Sequence, residues 1–236
     1  MSDGSADLVA QIQALAAERE RIVYPITVLG ISTYTFLKNR ADIIAFLDRV
    51  ESGDLTLGPD PEALLREISR LLHNFLAAAS TLVDHTRKTM TAYASVPEVQ
   101  ASYNQKKQAL VESPLQIFVK DLRNYTLHKQ LPVAGITTTF TRDPQSDSFT
   151  VCAEVYLDSA QLNDWPKWTS LAQQYLSAAP PQLSVRTVVN DYYDLVTTLY
   201  TWLETCLTTH HQPALGTLEA RKREILSELR RRGVPT

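Results

Sequence analysis

Residues 61–83 read PEALLREISRLLHNFLAAASTLV, and this stretch decides the fold class. Its apolar side chains fall at Leu64, Leu65, Ile68, Leu71, Leu72, Phe75, Leu76, Ala79, Leu82 and Val83. A helix turning once per 3.6 residues gathers that three- and four-residue spacing onto one face. Asp60 supplies a capping carboxylate and Pro61 a first-turn proline, so the spacing predicts one long helix with a heptad-like stripe. Working outward, the same spacing recurs in Val185, Val188, Val189, Tyr192, Leu195, Val196, Leu199, Trp202, Leu203 and Cys206. These two helices are expected to supply much of the core.

Weaker periodicity predicts further helices over 7–22, 31–50, 98–111, 114–130, 166–178 and 217–232. Only seven glycines occur in the chain, and they punctuate these segments, which favours helices over strands. The exception is 133–157. There Ile136, Thr138 and Phe140, then Phe149, Val151, Ala153 and Val155, alternate with polar or small neighbours around the turn-forming Asp143-Pro144-Gln145-Ser146-Asp147. The reading is a mainly α helical bundle, a single domain over 1–236, with a β-hairpin inserted at 133–157.

Composition narrows the function classes. With 44% apolar residues among 236 the chain has ample material for a core, and its net charge of −3 carries no global footprint for nucleic acid. Cys152 and Cys206 stand apart from each other and from the five histidines, which fits a reducing compartment. Residues 1–7 carry no secretory pattern, and Ile26–Leu37 is shorter than a bilayer span and broken by Gly30, Ser32 and Thr33. A cytoplasmic protein outside the membrane is therefore expected. No glycine-rich phosphate loop, dinucleotide fingerprint or nucleophile elbow is present, so no cofactor is expected. The adjacent pair His210-His211 precedes Pro213, reads as a loop, and lacks the i, i+4 placement of a metal pair, so no metal is expected either.

One cluster reads as chemistry: Arg123-Asn124-Tyr125-Thr126-Leu127-His128. It lies on the helix opening after Ser113-Pro114, whose apolar line is Leu115, Phe118, Val119 and Leu122, with Thr126 on the same line. At roughly 100° per residue, Asn124 sits about 180° from Leu115, and Asn124 and His128 share a non-core face. Arg123 lies at the border of the buried face, about 140° from His128. The plain alternative for His128 is an exposed imidazole favoured by the helix dipole.

These residues resemble the signature of the HEPN superfamily of helical nucleotide-binding proteins and ribonucleases: an Arg, a polar residue, and a His near the end of a helix in an α-helical bundle. Arg123, Asn124 and His128 match it with four residues between Arg and His. The resemblance implies metal-independent RNA cleavage by a homodimer acting in stress or defence, as a toxin does. His128 would move a proton at the ribose 2′-OH or the leaving 5′-oxygen, Arg123 would hold the scissile phosphate, and Asn124 would orient one or the other. A two-fold interface would bring the second copy of the motif opposite the first. The competing reading is a non-catalytic helical interaction or regulatory protein, or an RNA- or nucleotide-binding module, with a protein partner on the hairpin edge or a helix face.

Other clusters have plainer explanations. His73-Asn74 and Asp84-His85-Thr86-Arg87 lie off the apolar stripe of their helix and read as surface or inter-helix contacts, the alternative being a pocket facing the Arg123 helix. Trp165, Trp168, Trp202, Tyr192, Tyr193 and Tyr200 read mainly as core and, alternatively, as base-stacking surfaces. Asp191 and Asp194 read as solvated charges. Arg230-Arg231-Arg232-Gly233 reads as a dipole-matched helix end with a glycine stop, or as a small RNA-contacting patch.

Overall fold

A computed structural model describes residues 3–53, 61–132, 134–142 and 149–234. The elements are α1 (Asp3–Glu51), α2 (Pro61–Ala92), α3 (Pro97–Val111), α4 (Pro114–His128), β1 (Ala134–Arg142), β2 (Phe149–Asp158), α5 (Ser159–Asn163), α6 (Ser170–Ala178), β3 (Gln182–Ser184) and α7 (Val185–Arg231). The fold is mainly α with a hairpin insert, as the periodicity predicts. The capping role of Asp60 and the turn at 143–147 lie outside the described residues. Among the described residues, no helix is long and apolar enough to cross a membrane.

The stripe on α2 behaves as read: Ile68, Leu72, Phe75, Leu76 and Leu82 are each at most 2% exposed. Phe75 meets Phe36 of α1 at 5.4 Å and Tyr192 of α7 at 6.0 Å between ring centroids, so three helices share one aromatic centre. Helix ends follow local chemistry. Ser113 accepts the backbone N–H of Gln116 ahead of Pro114, and Ser184 accepts that of Thr187. At the far end of α7, Gly233 takes φ 74° while its N–H reaches the Arg230 carbonyl and that of Val234 reaches Leu229. That paired closure is the Schellman arrangement, which needs a residue free of a Cβ penalty.

Two predicted breaks are absent. The segments 7–22 and 31–50 are one helix running through Pro25, and the second core helix continues through Pro213 into 217–232, so His210 and His211 are helical and not in a loop. An internal proline removes one hydrogen bond and costs about 3 kcal/mol in an isolated helix, but tertiary packing can offset that. Here α1 and α7 lie antiparallel and support each other. Arg186 bridges Asp48 and Glu51 at 2.7 and 2.8 Å at one end, and Leu15 and Arg19 face Leu218 and Lys222 at the other. Thr89, near the end of α2, donates to the Pro25 carbonyl, and the Tyr93 hydroxyl lies 2.9 Å from His211 Nε2. Both prolines therefore sit where α2 stops, and beyond that level α1 and α7 continue as a two-helix arm that buries Ile225 and Leu229.

The hairpin pairs Ile136 with Val155, Thr138 with Ala153 and Phe140 with Val151. Its base is sealed by Val155 and Leu157, each 1% exposed, whereas Phe140 toward the tip is open. The Tyr156 ring lies over Gly135, where a side chain would overlap it. Sequence periodicity missed β3, which pairs Leu183 with Leu157 and makes β2 the central strand. A three-residue strand is too short to show alternation. Helix α6 starts at Ser170 and not at Pro166, because Trp168 turns inward and its indole N–H donates to the Leu162 carbonyl at 2.6 Å.

Candidate functional site

Helix α4 is clamped on two flanks, and its flanks differ in chemistry. Toward α6 it buries Phe118, Leu122 and Tyr125, all 0% exposed. Phe118 stacks on Tyr175 at 4.6 Å and on Trp168 at 5.6 Å, and Tyr125 stacks on Trp168 at 5.8 Å. Trp165 and Trp168 are thus core residues. The same flank buries Asp121, which accepts both the backbone N–H of Thr169 at 3.0 Å and its hydroxyl at 2.7 Å. A carboxylate at Thr169, the N-cap of α6, satisfies an otherwise open donor and complements the helix dipole. Of the apolar line read from the sequence, Phe118, Val119 and Leu122 are buried, and Leu115 and Thr126 only half-buried. Packing against α6 rotates the buried face toward Asp121 and Tyr125.

The opposite flank faces α2 across a cleft of about 210 Å³. From α4 come Gln116, Val119, Lys120, Arg123 and Asn124, and from α2 Ala79, Ser80, Val83, Asp84 and Arg87. Both sets follow helical three- and four-residue spacing, which is how two packed helices line a shared groove. Tyr192 of α7 is a buried part of the lining, and burial pushes its phenol well above the usual range, so it offers a neutral hydroxyl.

Charge is unevenly matched in this cleft. Asp84 is its one carboxylate, and it is already 3.3 Å from Arg87. Neither Arg123 nor Lys120 has an ion-pair or hydrogen-bond partner for its charged group among the described residues. The Gln116 side-chain oxygen is buried without a donor there and is an acceptor, so it answers a donor group of a ligand and not the anion, which the other groups take. Such an arrangement accepts an anion: two uncommitted cations supply charge, Arg123 adds a planar donor fork, and Asn124 and Ser80 add neutral donors.

The structure separates the three residues of the motif. Arg123 and Asn124 line the cleft together, half-buried, although an ideal helix sets Arg123 apart from Asn124 and pairs Asn124 with His128. The difference arises because the groove is wide enough to take a broad arc of α4. His128 is exposed on the last turn and does not line the cleft. Asp84 and Arg87, read from sequence mainly as surface residues, face Arg123 in the manner of the alternative reading. Lys120 and Gln116 went unnoticed in the sequence, although their spacing from Arg123 and Asn124 was the available signal. His73 lies elsewhere, beside Leu131 and Pro132, and His85 Nδ1 meets the Ser32 hydroxyl of α1.

Comparison with protein-family models, with curated proteins and with solved structures found no match.

Proposed function

We propose that the α2–α4 cleft binds a phosphate group of RNA, making this chain an RNA-binding helical protein. The observation that carries the proposal is the pair of uncommitted cations, Lys120 and Arg123, beside Asn124 in a cleft whose one carboxylate is already bound to Arg87. The Arg fork matches phosphate as it matches carboxylate, and on RNA each neutralised phosphate releases counterions, so binding weakens as salt rises.

A second reading keeps the cleft and adds turnover, as the HEPN resemblance implies. Its support is that His128, on the same helix as Arg123, is exposed and accessible to a second copy. In that reading His128 of one chain takes the ribose 2′-OH proton while Arg123 holds the phosphate. The 2′-oxygen attacks phosphorus, the 5′-oxygen leaves with a proton, and a 2′,3′-cyclic phosphate and a 5′-hydroxyl result.

One experiment tests both. Binding of labelled single-stranded RNA is measured by anisotropy at low and moderate salt, and the same samples are followed for cleavage in EDTA. Arg123→Ala and Lys120→Ala are expected to weaken binding about tenfold each, and His128→Ala to leave it unchanged. Unaltered affinity in the first two variants overturns the RNA-phosphate site. Cyclic-phosphate ends that disappear in His128→Ala establish the ribonuclease reading, and intact RNA under saturating protein removes it.

A further inference from the structure

The face of α1 turned away from α2 and α7 is open and apolar at its centre: Tyr24 is 58% exposed, Ile31 61% and Tyr34 67%. These are not scattered. With Thr27 between them and the exposed Glu20 and Lys38 at the flanks, they repeat at four, three, four, three and four residues, the spacing of a coiled-coil seam, and Glu20 stands at its edge, where it also borders the α1–α7 groove with Lys222. Pro25 lies beside this seam and not in it.

We infer that the partner of this face is a second copy of the same chain, paired antiparallel through α1 about a two-fold axis between Thr27 and Ile31. The sequence of the seam chooses the register. About that axis Tyr24 meets Tyr34, Thr27 meets Ile31, and Glu20 meets Lys38, each twice by symmetry, and outside them Ala17 meets Ala41. Glu20 makes no ion pair among the described residues, and Lys38, which holds Asp42 at 2.9 Å, is still 59% exposed and has donors to spare. A parallel pairing sets Glu20 against Glu20 and Lys38 against Lys38. Slipping the antiparallel pair by seven residues one way puts Glu20 on Ile31, and the other way puts Lys38 on Thr27. Each alternative loses the charge match or places an unpaired charge in the seam.

This pairing does not rest on the RNA reading, and it constrains that reading. Tyr192 contacts Phe36 of α1 at 6.0 Å and also lines the cleft, so α7 and α2 stand between the seam and α4. The two clefts of such a dimer open on separate sides, which suits two-point binding of one RNA and not a shared catalytic centre.

Sedimentation of the full chain without RNA tests the pairing. A dimer is expected at micromolar concentration. Ile31→Asp should weaken it about 100-fold by placing two carboxylates at the centre of the seam, and Lys38→Glu about tenfold by opposing Glu20, with helical circular dichroism unchanged. The charge exchange Glu20→Lys with Lys38→Glu should restore the dimer. A monomer at all concentrations, a dimer indifferent to Ile31→Asp, or a charge exchange that fails to rescue overturns the assignment.

Discussion

The two flanks of α4 solve opposite problems with neighbouring residues. Toward α6, the one charge that goes inside is engaged: Asp121 is buried but holds two donors of Thr169, amid rings packed 4.6 to 5.8 Å apart, and the Tyr125 hydroxyl is buried there without a partner among the described residues. Toward α2, Lys120 and Arg123 are left uncommitted among the described residues. A flank whose charge is committed is structure, and one that holds its charges in reserve has something to offer a ligand. Adjacency in sequence therefore says little about role: Asp121 and Arg123 are two residues apart and belong to different systems.

The sharpest way to break this contrast is to damage each flank and ask what is lost. Phe118→Ala removes the ring that joins α4 to α6 and should lower stability by about 3–5 kcal/mol, read by denaturant unfolding. Asp121→Ala strands the Thr169 donors and should cost about 1–3 kcal/mol, with the loss appearing first as weaker hydrogen-exchange protection in the opening turn of α6. Arg123→Ala should change stability by no more than about 0.5 kcal/mol despite its effect on RNA. A large loss of stability there would make Arg123 structural and remove the distinction.

The smallest expected effect concerns His211, outside α4. Burial, reinforced by His210, lowers its pKa from the ordinary 6.5. Because the folded chain disfavours the proton, this group's contribution is complete above pH 6.5 and declines as pH falls toward the lower folded value. Thermal unfolding from pH 7.5 to 5.5 should show a shallower acid loss in His211→Gln than in wild type, and equal slopes would remove His211 as the source.

Where periodicity was strong, sequence and structure agree: α2, the hairpin and the first half of α7 stand as read, and the weaker pattern of α4 holds as well. What was illegible depended on neighbours. Pro25 and Pro213 look like stops until two long helices brace each other, and β3 is too short to announce itself. The burial of Asp121 follows from the start of α6 lying beside it, which no local pattern encodes. Arg123 and Asn124 were picked out by a motif, but their company in the cleft, Lys120 from their own helix and Asp84 and Arg87 from α2, comes from helix packing.

The matched prolines give the two-helix arm a mechanical character. Pro25 offers no N–H to the Arg21 carbonyl, and Pro213 none to that of Thr209, so both rods lose a rung at nearly the same height. Bending stiffness drops at that single level. A load on the far end of the arm is taken up there, before it can reach the Phe36, Phe75 and Tyr192 rings at the centre of the bundle.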